Sequence, residues 1–361
     1  MAADEINAAG GVLGRTVRLL LSDERSDPTD AVRAAVRYTE EDRVDFLMGV
    51  VSSALALAVT EVSRESGTVF VGTDHASSRL TVENFQRYYF RVSPNTQQSM
   101  RAGALYCSKQ PWRTFLYVGP DYEYGHRQWE DFRELLAALR PDIRFAGEVW
   151  SKLFEADYGA HIDAALRARP DAVVHGFWGG DAVSFMRQAL AAGLHEQSRL
   201  VSFDAGGNYE IFEALGARLP DGLILSARHH NNWPETEANR RFVEGFYARA
   251  ARYPSYAAHG AYVGVRFIAQ GVERAGSADD ADAFVAAAEG MTLSTPGDPP
   301  ETSSWIRPID HQIVRDYAIG VTEANDRFPP AVRMLGRWTV IDGERILPSE
   351  EEVTKRRRAT R

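Results

Sequence analysis

The sequence predicts an α/β protein built as two doubly wound parallel-sheet lobes, and three observations carry that prediction. The chain has 361 residues, too long for one ordinary core and a natural length for two. Short β-branched runs alternate with amphipathic helical stretches along most of it, the pattern of parallel sheets covered by helices on both faces. The alternation breaks near Tyr88 to Pro94 and again near Ala227 to Pro234, in polar, proline-flanked segments that read as crossings between lobes.

The elements follow in order. Met1 to Ala9 has the look of a helix body that stops at Gly10 and Gly11, yet no strand precedes it to feed it. A basic start followed by an apolar core, the mark of a secretion signal, is absent there. Strands are expected at Val17 to Leu21, Val44 to Val50, Val69 to Val71, Thr114 to Val118, Ile143 to Val149, Ala172 to Gly176, Leu200 to Phe203 and Leu223 to Ala227. Helices fill the gaps: Thr29 is placed to cap one running to Glu41, with Val32, Ala35, Val36 and Thr39 on one face. A second runs from Asp181 to Ala192 and stops at Gly193. Thr295 to Ser304 is rich in Pro, Gly, Ser and Thr and reads as a loop before the strand-like Trp305 to Val314.

Bulk chemistry narrows the function classes. With 44% apolar and 25% charged residues the composition is globular, and no run approaches the roughly 18 apolar residues of a membrane span. A net charge of -9 argues against nucleic acid as a partner, since phosphate binding needs a basic surface. Lys355, Arg356, Arg357, Arg358 and Arg361 cluster at the end and read as a solvated tail. The single cysteine, Cys107, forms no internal disulfide and no zinc site by itself; beside Ala104 and Leu105 it reads as a buried structural thiol. The glycines from Gly10 to Gly14 follow a helix instead of opening one, which fails the dinucleotide pattern. Phosphate-loop, nucleophile-elbow and paired-histidine zinc motifs are also missing, so no enzyme class, cofactor or metal is expected.

One ordered set of motifs is more specific. Asp4 to Arg15, reading through Glu5, Ile6, Asn7, Ala8, Ala9, Gly10 and Gly11, is similar to the signature that follows the first strand in Leu/Ile/Val-type substrate-binding proteins of ABC importers. Further matches keep that family's order: Ser22-Asp23 with Asp27-Pro28, Gly49 with Ser52-Ser53, Tyr89 to Pro94, Tyr124-Gly125, Arg187 to Ala189 with Gly193-Leu194, and Ile306-Arg307 with Asp310 to Gln312. The resemblance implies the type I periplasmic-binding fold, two lobes joined by a three-strand hinge with ligand between them. It assigns 1–93 and 228–313 to the first lobe and 94–227 and 314–361 to the second. It also implies that the first strand of the first lobe is missing from the chain as given, and that the full-length natural product is periplasmic or cell-surface; without a signal, a cytoplasmic location stays open.

Candidate binding residues lie at the ends of strands. Ser52 and Ser53 follow an apolar strand at a helix start, where amides and hydroxyls suit an anion. A plain helix cap is the alternative, and the resemblance implies contact with a ligand carboxylate. It places Asp74, His75 and Ala76 at the next contact turn, where Asp74 would repel a carboxylate and His75 would pair with it; this departs from the family's usual small-residue and Thr segment. In the second lobe it implies Tyr124 as an aromatic reaching the ligand and Asp204 as the holder of a ligand ammonium, against the alternative of Asp204 capping a helix from Asn208. Trp178, followed by two glycines at the end of a parallel strand, is placed to stack on the ligand. His229 and His230, adjacent in the second crossing, make a poor metal pair, and either is open to hydrogen bonding with ligand or hinge.

The expected function is therefore a solute receptor that binds a small amino acid or related carboxylate and delivers it to the membrane subunits of an ABC importer. Two alternatives stand beside it: an intracellular ligand sensor of the same fold, similar to amide-responsive regulators, or a receptor for an aromatic carboxylate or amide.

Overall fold

The computed structural model describes residues 1–360, and the chain divides into two compact units. The first comprises Met1–Asn95, Thr236–Arg315 and the segment from Pro348; the second comprises Thr96–Glu235 and Asp316–Leu347. The chain thus passes between units after Asn95, Glu235, Arg315 and Leu347, one passage more than the sequence suggested. The extra one carries the last residues into the first unit. There the helix Glu350–Thr360 is fastened by Arg357, which donates to the carbonyls of Thr81, Val82 and Ile309 at 3.0, 3.1 and 2.7 Å and lies 3.8 Å from the Phe85 ring centroid. The expected solvated tail is in this part a docked helix.

In the first unit Phe46–Gly49, Val69–Gly72 and Tyr89–Arg91 form a parallel sheet in that order. Alternate side chains leave on opposite faces. Leu47, Phe70 and Tyr89 pack with Leu55, Ala56 and Val59 of the helix Ser53–Ser66 and with Ala31 and Ala35 of the helix Pro28–Glu40. On the other face Val69, Val71 and Phe90 meet Val263, Phe267 and Val272 of the helix Tyr256–Ala275 and Phe284 of Ala281–Ala288. The cap of Pro28–Glu40 is Asp27 and not Thr29: its carboxylate accepts from the amides of Thr29 and Asp30 at 2.8 and 3.1 Å, with Pro28 in the first helical position.

Three readings change. Among the described residues Val17 to Leu21 forms no ladder with any segment; Val17 is clasped, its amide and carbonyl both bonded to the Asn7 side chain at 2.7 and 2.9 Å. Tyr89–Arg91, read as a crossing, is the third strand of the sheet. Trp305 to Val314 is two short strands, Ser304–Ile306 and Ile313–Val314, paired antiparallel with Thr292–Leu293 at the edge. The turn between them contains Pro308, an Arg307–Asp310 ion pair and His311 at φ +52. The residues from Asp310 to Gln312 then tie the unit together: His311 bonds the Tyr89 carbonyl at 3.0 Å and stacks on Phe90, while Gln312 donates to Ser93 and accepts from Asn95.

The second unit holds a seven-stranded sheet in the spatial order Arg333–Ile341, Tyr317–Ala324, Ile224–Leu225, Arg199–Ser202, Ala172–His175, Thr114–Pro120, Arg144–Ser151. Five strands run parallel; the first two named are antiparallel additions. The four inner parallel strands were legible as apolar runs because helices cover both their faces, whereas Arg144–Ser151 lies at the edge with most of its residues not buried. Cys107 is fully buried in this core, and burial pushes its thiol pKa well up, as an unreactive structural cysteine requires.

Candidate functional site

In the first unit two turns meet at the carboxyl ends of parallel strands. Phe46–Gly49 leads into Val50 to Ser53, and Val69–Gly72 leads into Thr73 to Ser78. Ser53 Oγ accepts from the amides of Ala76 and Ser77 at 3.3 and 3.0 Å, which pins the second turn to the first. Ser52 stands at the cap position of the 14-residue helix Ser53–Ser66, yet its side chain makes no capping bond. The first backbone bond of the helix is Ala56 N–H to Ser52 O at 3.0 Å, so the amides of Ser53, Ala54 and Leu55 lie ahead of the ladder and give this helix start its positive end. Asp74 and Ala76, in the second turn, are buried.

His75 is held by its own unit. Its Nδ1 lies 3.0 Å from the Val50 carbonyl and its Nε2 2.7 Å from the Tyr89 hydroxyl. Arg91 donates to that hydroxyl through Nε and Nη2 at 3.0 and 2.8 Å. A hydroxyl that accepts from a guanidinium keeps its own proton to give, so Tyr89 donates to His75 Nε2 and Nδ1–H donates to Val50. The neutral ring is thereby a strut between the two turns.

One glycine sets how closely the rear wall approaches. A Cβ at Gly260, on the helix Tyr256–Ala275, would lie 2.0 Å from the Thr73 carbonyl oxygen. Backbone cannot yield as a side-chain tip does, so Gly260→Ala is expected to cost about 1–3 kcal/mol and to shift the turn that carries Asp74 and His75. Urea unfolding checks it; a cost below about 0.5 kcal/mol would show that the helix slides freely.

The second unit collects its candidates along one sheet edge. Thr114–Pro120 precedes Tyr122 and Tyr124, Ala172–His175 precedes Trp178, Arg199–Ser202 precedes Asp204, and Ile224–Leu225 precedes Arg228. Thr114–Pro120 has Arg144–Ser151 on one side and Ala172–His175 on the other, so the winding reverses between the tyrosines and the tryptophan. Such a switch point leaves a crevice beyond the strand ends. Trp178 is half-buried there, its Nε1–H donating to the Tyr122 hydroxyl at 3.0 Å, with the exposed Phe154 ring edge-on at 6.3 Å.

Asp204 is fully buried and its oxygens are engaged. Tyr124 donates its hydroxyl at 2.5 Å, and Arg228 donates Nη2 at 2.8 Å and Nε at 3.3 Å to both oxygens. Asp204 caps no helix: Asn208 caps Tyr209–Leu215 itself. Arg228 and Tyr122 were not singled out from the sequence. A cation at the end of a predicted strand was the available signal for Arg228; for Tyr122 there was none, since the adjacent tyrosines carried equal weight. His230 packs its ring on Trp338 at 4.7 Å, and His229 beside it is buried.

Two doubly wound α/β units, each with polar and aromatic groups at strand ends, define the class of two-unit solute-binding proteins. The chain belongs to the family described as periplasmic binding protein, whose model matches residues 1–327. Among curated relatives, the leucine-, isoleucine-, valine-, threonine- and alanine-binding protein of Pseudomonas aeruginosa is 24% identical over 302 residues, covering 82% of this chain and 77% of that one. Leu/Ile/Val-binding protein BraC3 of Rhizobium johnstonii is 26% identical over 291 residues, covering 79% and 76%. Among solved structures, a solute binding protein of an ABC transporter from Rhodopseudomonas palustris BisB5, in complex with 3,4-dihydroxy benzoic acid, has a TM-score of 0.85 at 20% identity over 95% of this chain and 92% of that one. The fold class and the substrate-binding family expected from the motifs are thus shown. No helix among the described residues is long and apolar enough to cross a membrane.

Proposed function

We propose that this chain is the solute receptor of an ABC importer, working outside the inner membrane, and that its ligand is a small organic carboxylate without a free ammonium group, an aromatic acid fitting best. The observation that carries this reading is the state of Asp204. Its charge is balanced by Arg228 and its nearer oxygen is shared with Tyr124, so a ligand ammonium would have to displace a buried guanidinium. An aromatic acid needs no such exchange: in the second unit Trp178 and the tyrosines suit its ring, and in the first unit the helix start at Ser52 and Ser53 suits a carboxylate. A ligand with different affinity for two arrangements of the protein shifts their populations, and a membrane partner then reads the shift. Amino-acid binding is the second reading, favoured by the names of the curated relatives; the benzoate-type complex among the similar structures accords with the first.

A thermal-shift and calorimetric comparison of 4-hydroxybenzoate with leucine separates them. Ligand at about 100 times Kd stabilises the folded chain by about 2.7 kcal/mol, several degrees of Tm. Stabilisation by leucine alone would overturn the aromatic assignment, and indifference to aromatic acids, amino acids and amides alike would overturn the receptor reading. Trp178→Ala is expected to weaken an aromatic ligand about tenfold, or ~1.4 kcal/mol, with Tm of the free protein little changed.

A further inference from the structure

One aromatic side chain of the second unit is strained and exposed at once. Phe154 follows the edge strand Arg144–Ser151, sits at φ +60 and is 63% exposed. The left-handed region strains a bulky residue, and a turn that needs it ordinarily takes glycine or asparagine. A single helix holds Phe154 there. Asp181, in the first turn of Gly179–Ala191 and 8% exposed, accepts from the Phe154 amide at 2.8 Å. Gln188 lies seven residues further along, on the same face of that helix. It accepts from the Tyr158 amide at 2.8 Å and donates to the Ala156 carbonyl at 3.1 Å. The loop from Phe154 to Tyr158 is thus strapped at three backbone groups, and Phe154 is the aromatic ring that it exposes, since Tyr158 is fully buried.

The ring that Phe154 meets is Trp178, at a centroid distance of 6.3 Å with the two planes at 73°. Trp178 is itself fixed by its bond to the Tyr122 hydroxyl. Next to it in the chain the helix start is bare. Gly180 lies outside the left-handed region and a Cβ there would meet no atom within 4 Å, so neither backbone nor packing requires a glycine. We propose, on the reading above that the ligand is an aromatic acid, that Phe154 is a specificity-determining residue of that site, its ring and Trp178 forming the two walls of a corner that selects a flat ring. A flat ring laid against one wall meets the other nearly at right angles, so the stacked and edge-to-face geometries, both favoured by the ring quadrupole, are made together. A puckered or branched aliphatic acid of the same size makes neither. The strained backbone then has a function: it keeps the Phe154 ring at the corner before the ligand arrives. Asp181 and Gln188 act through the loop, as positioning residues.

The test compares 4-hydroxybenzoate with 4-hydroxycyclohexanecarboxylate, the same acid without a flat ring, by calorimetry on the full chain. Phe154→Ala is expected to weaken the aromatic acid about fivefold and its saturated counterpart less than about twofold, so the preference between them shrinks. Phe154→Tyr, which keeps the ring, is expected to hold the aromatic acid within about twofold of the native affinity. Phe154→Gly separates binding from folding: it releases the strained φ and is expected to raise Tm of the free protein by about 2 °C while weakening the aromatic acid as much as Phe154→Ala does. Asp181→Ala is expected to reduce the preference in the native background and to add little in the Phe154→Ala background, since both changes remove the same placed ring. A Phe154→Ala protein that binds both acids as the native protein does, or that loses both equally, overturns the proposal and leaves the aromatic-acid reading standing. A native protein that binds neither acid overturns both.

Discussion

Arg228→Met is expected to destabilise the protein by about 3–5 kcal/mol, the cost of leaving a buried carboxylate without its counter-ion. Asp204 has no exposed surface and Arg228 is 5% exposed, so solvent screens neither charge. The Tyr124 hydroxyl also donates to Asp204, at 2.5 Å, and cannot neutralise it. The double variant Asp204→Asn, Arg228→Met removes both charges and is expected to recover more than half of the loss. Urea midpoints of Arg228→Met, Asp204→Asn and the double variant, read through tryptophan fluorescence, give the coupling directly. A single-variant cost under about 1 kcal/mol, or a double variant no better than the single, would show that the pair is not the balanced unit on which the ligand assignment rests.

Acid weakening of the second unit follows from His175. Its ring is fully buried beside Phe177 and Phe185, with neither nitrogen hydrogen-bonded among the described residues, and burial holds its pKa down at about 3 against an ordinary 6.5. The unfolded chain therefore binds the extra proton first. Stability is complete above pH 6.5 and falls as the pH drops from 6.5 towards 3, by about 2 kcal/mol at pH 5 and on the order of 4 kcal/mol in full. Carboxylates titrate in the lower part of this window too, so the measurement is the difference between the native protein and His175→Leu, unfolded in urea at pH 7 and pH 5. The variant is expected to lose about 2 kcal/mol less over that interval and to be slightly more stable at pH 7, since two unsatisfied nitrogens go. Identical pH dependence in both proteins would place the His175 ring in contact with water.

Much of the fold could be read from residue patterns because burial leaves periodic marks. Val69–Gly72, Thr114–Pro120 and Ala172–His175 are covered on both faces, and each reads as an unbroken apolar run. The hairpin of Tyr317–Ala324 and Arg333–Ile341 escaped notice. It lies at the rim of its sheet, and Glu323, Arg333 and Arg337 break its pattern with half-exposed charges while Gly320 and Gly336 make room for Leu335, Trp338 and Glu323 side chains. Val17 to Leu21 shows the converse, a strong strand pattern without a neighbour to pair with.

The site divides along the same line. That candidates gather where parallel strands end was legible, because strand ends and helix starts are local: Ser52, Ser53 and Trp178 were singled out that way, whereas Tyr124 and Asp204 came from the family resemblance. What each side chain faces was decided in three dimensions. Arg228 meets Asp204 only because the strands Arg199–Ser202 and Ile224–Leu225 lie side by side, and His75 becomes a neutral strut only because Tyr89 arrives from the third strand to donate to it. By itself the sequence determined the strand-and-helix order, the family and the positions of the turns, since periodicity and capping act within a few residues. Charge balance, tautomer and strand pairing were left to the tertiary structure, since they depend on groups far apart in sequence that only the closed sheet brings within bonding distance.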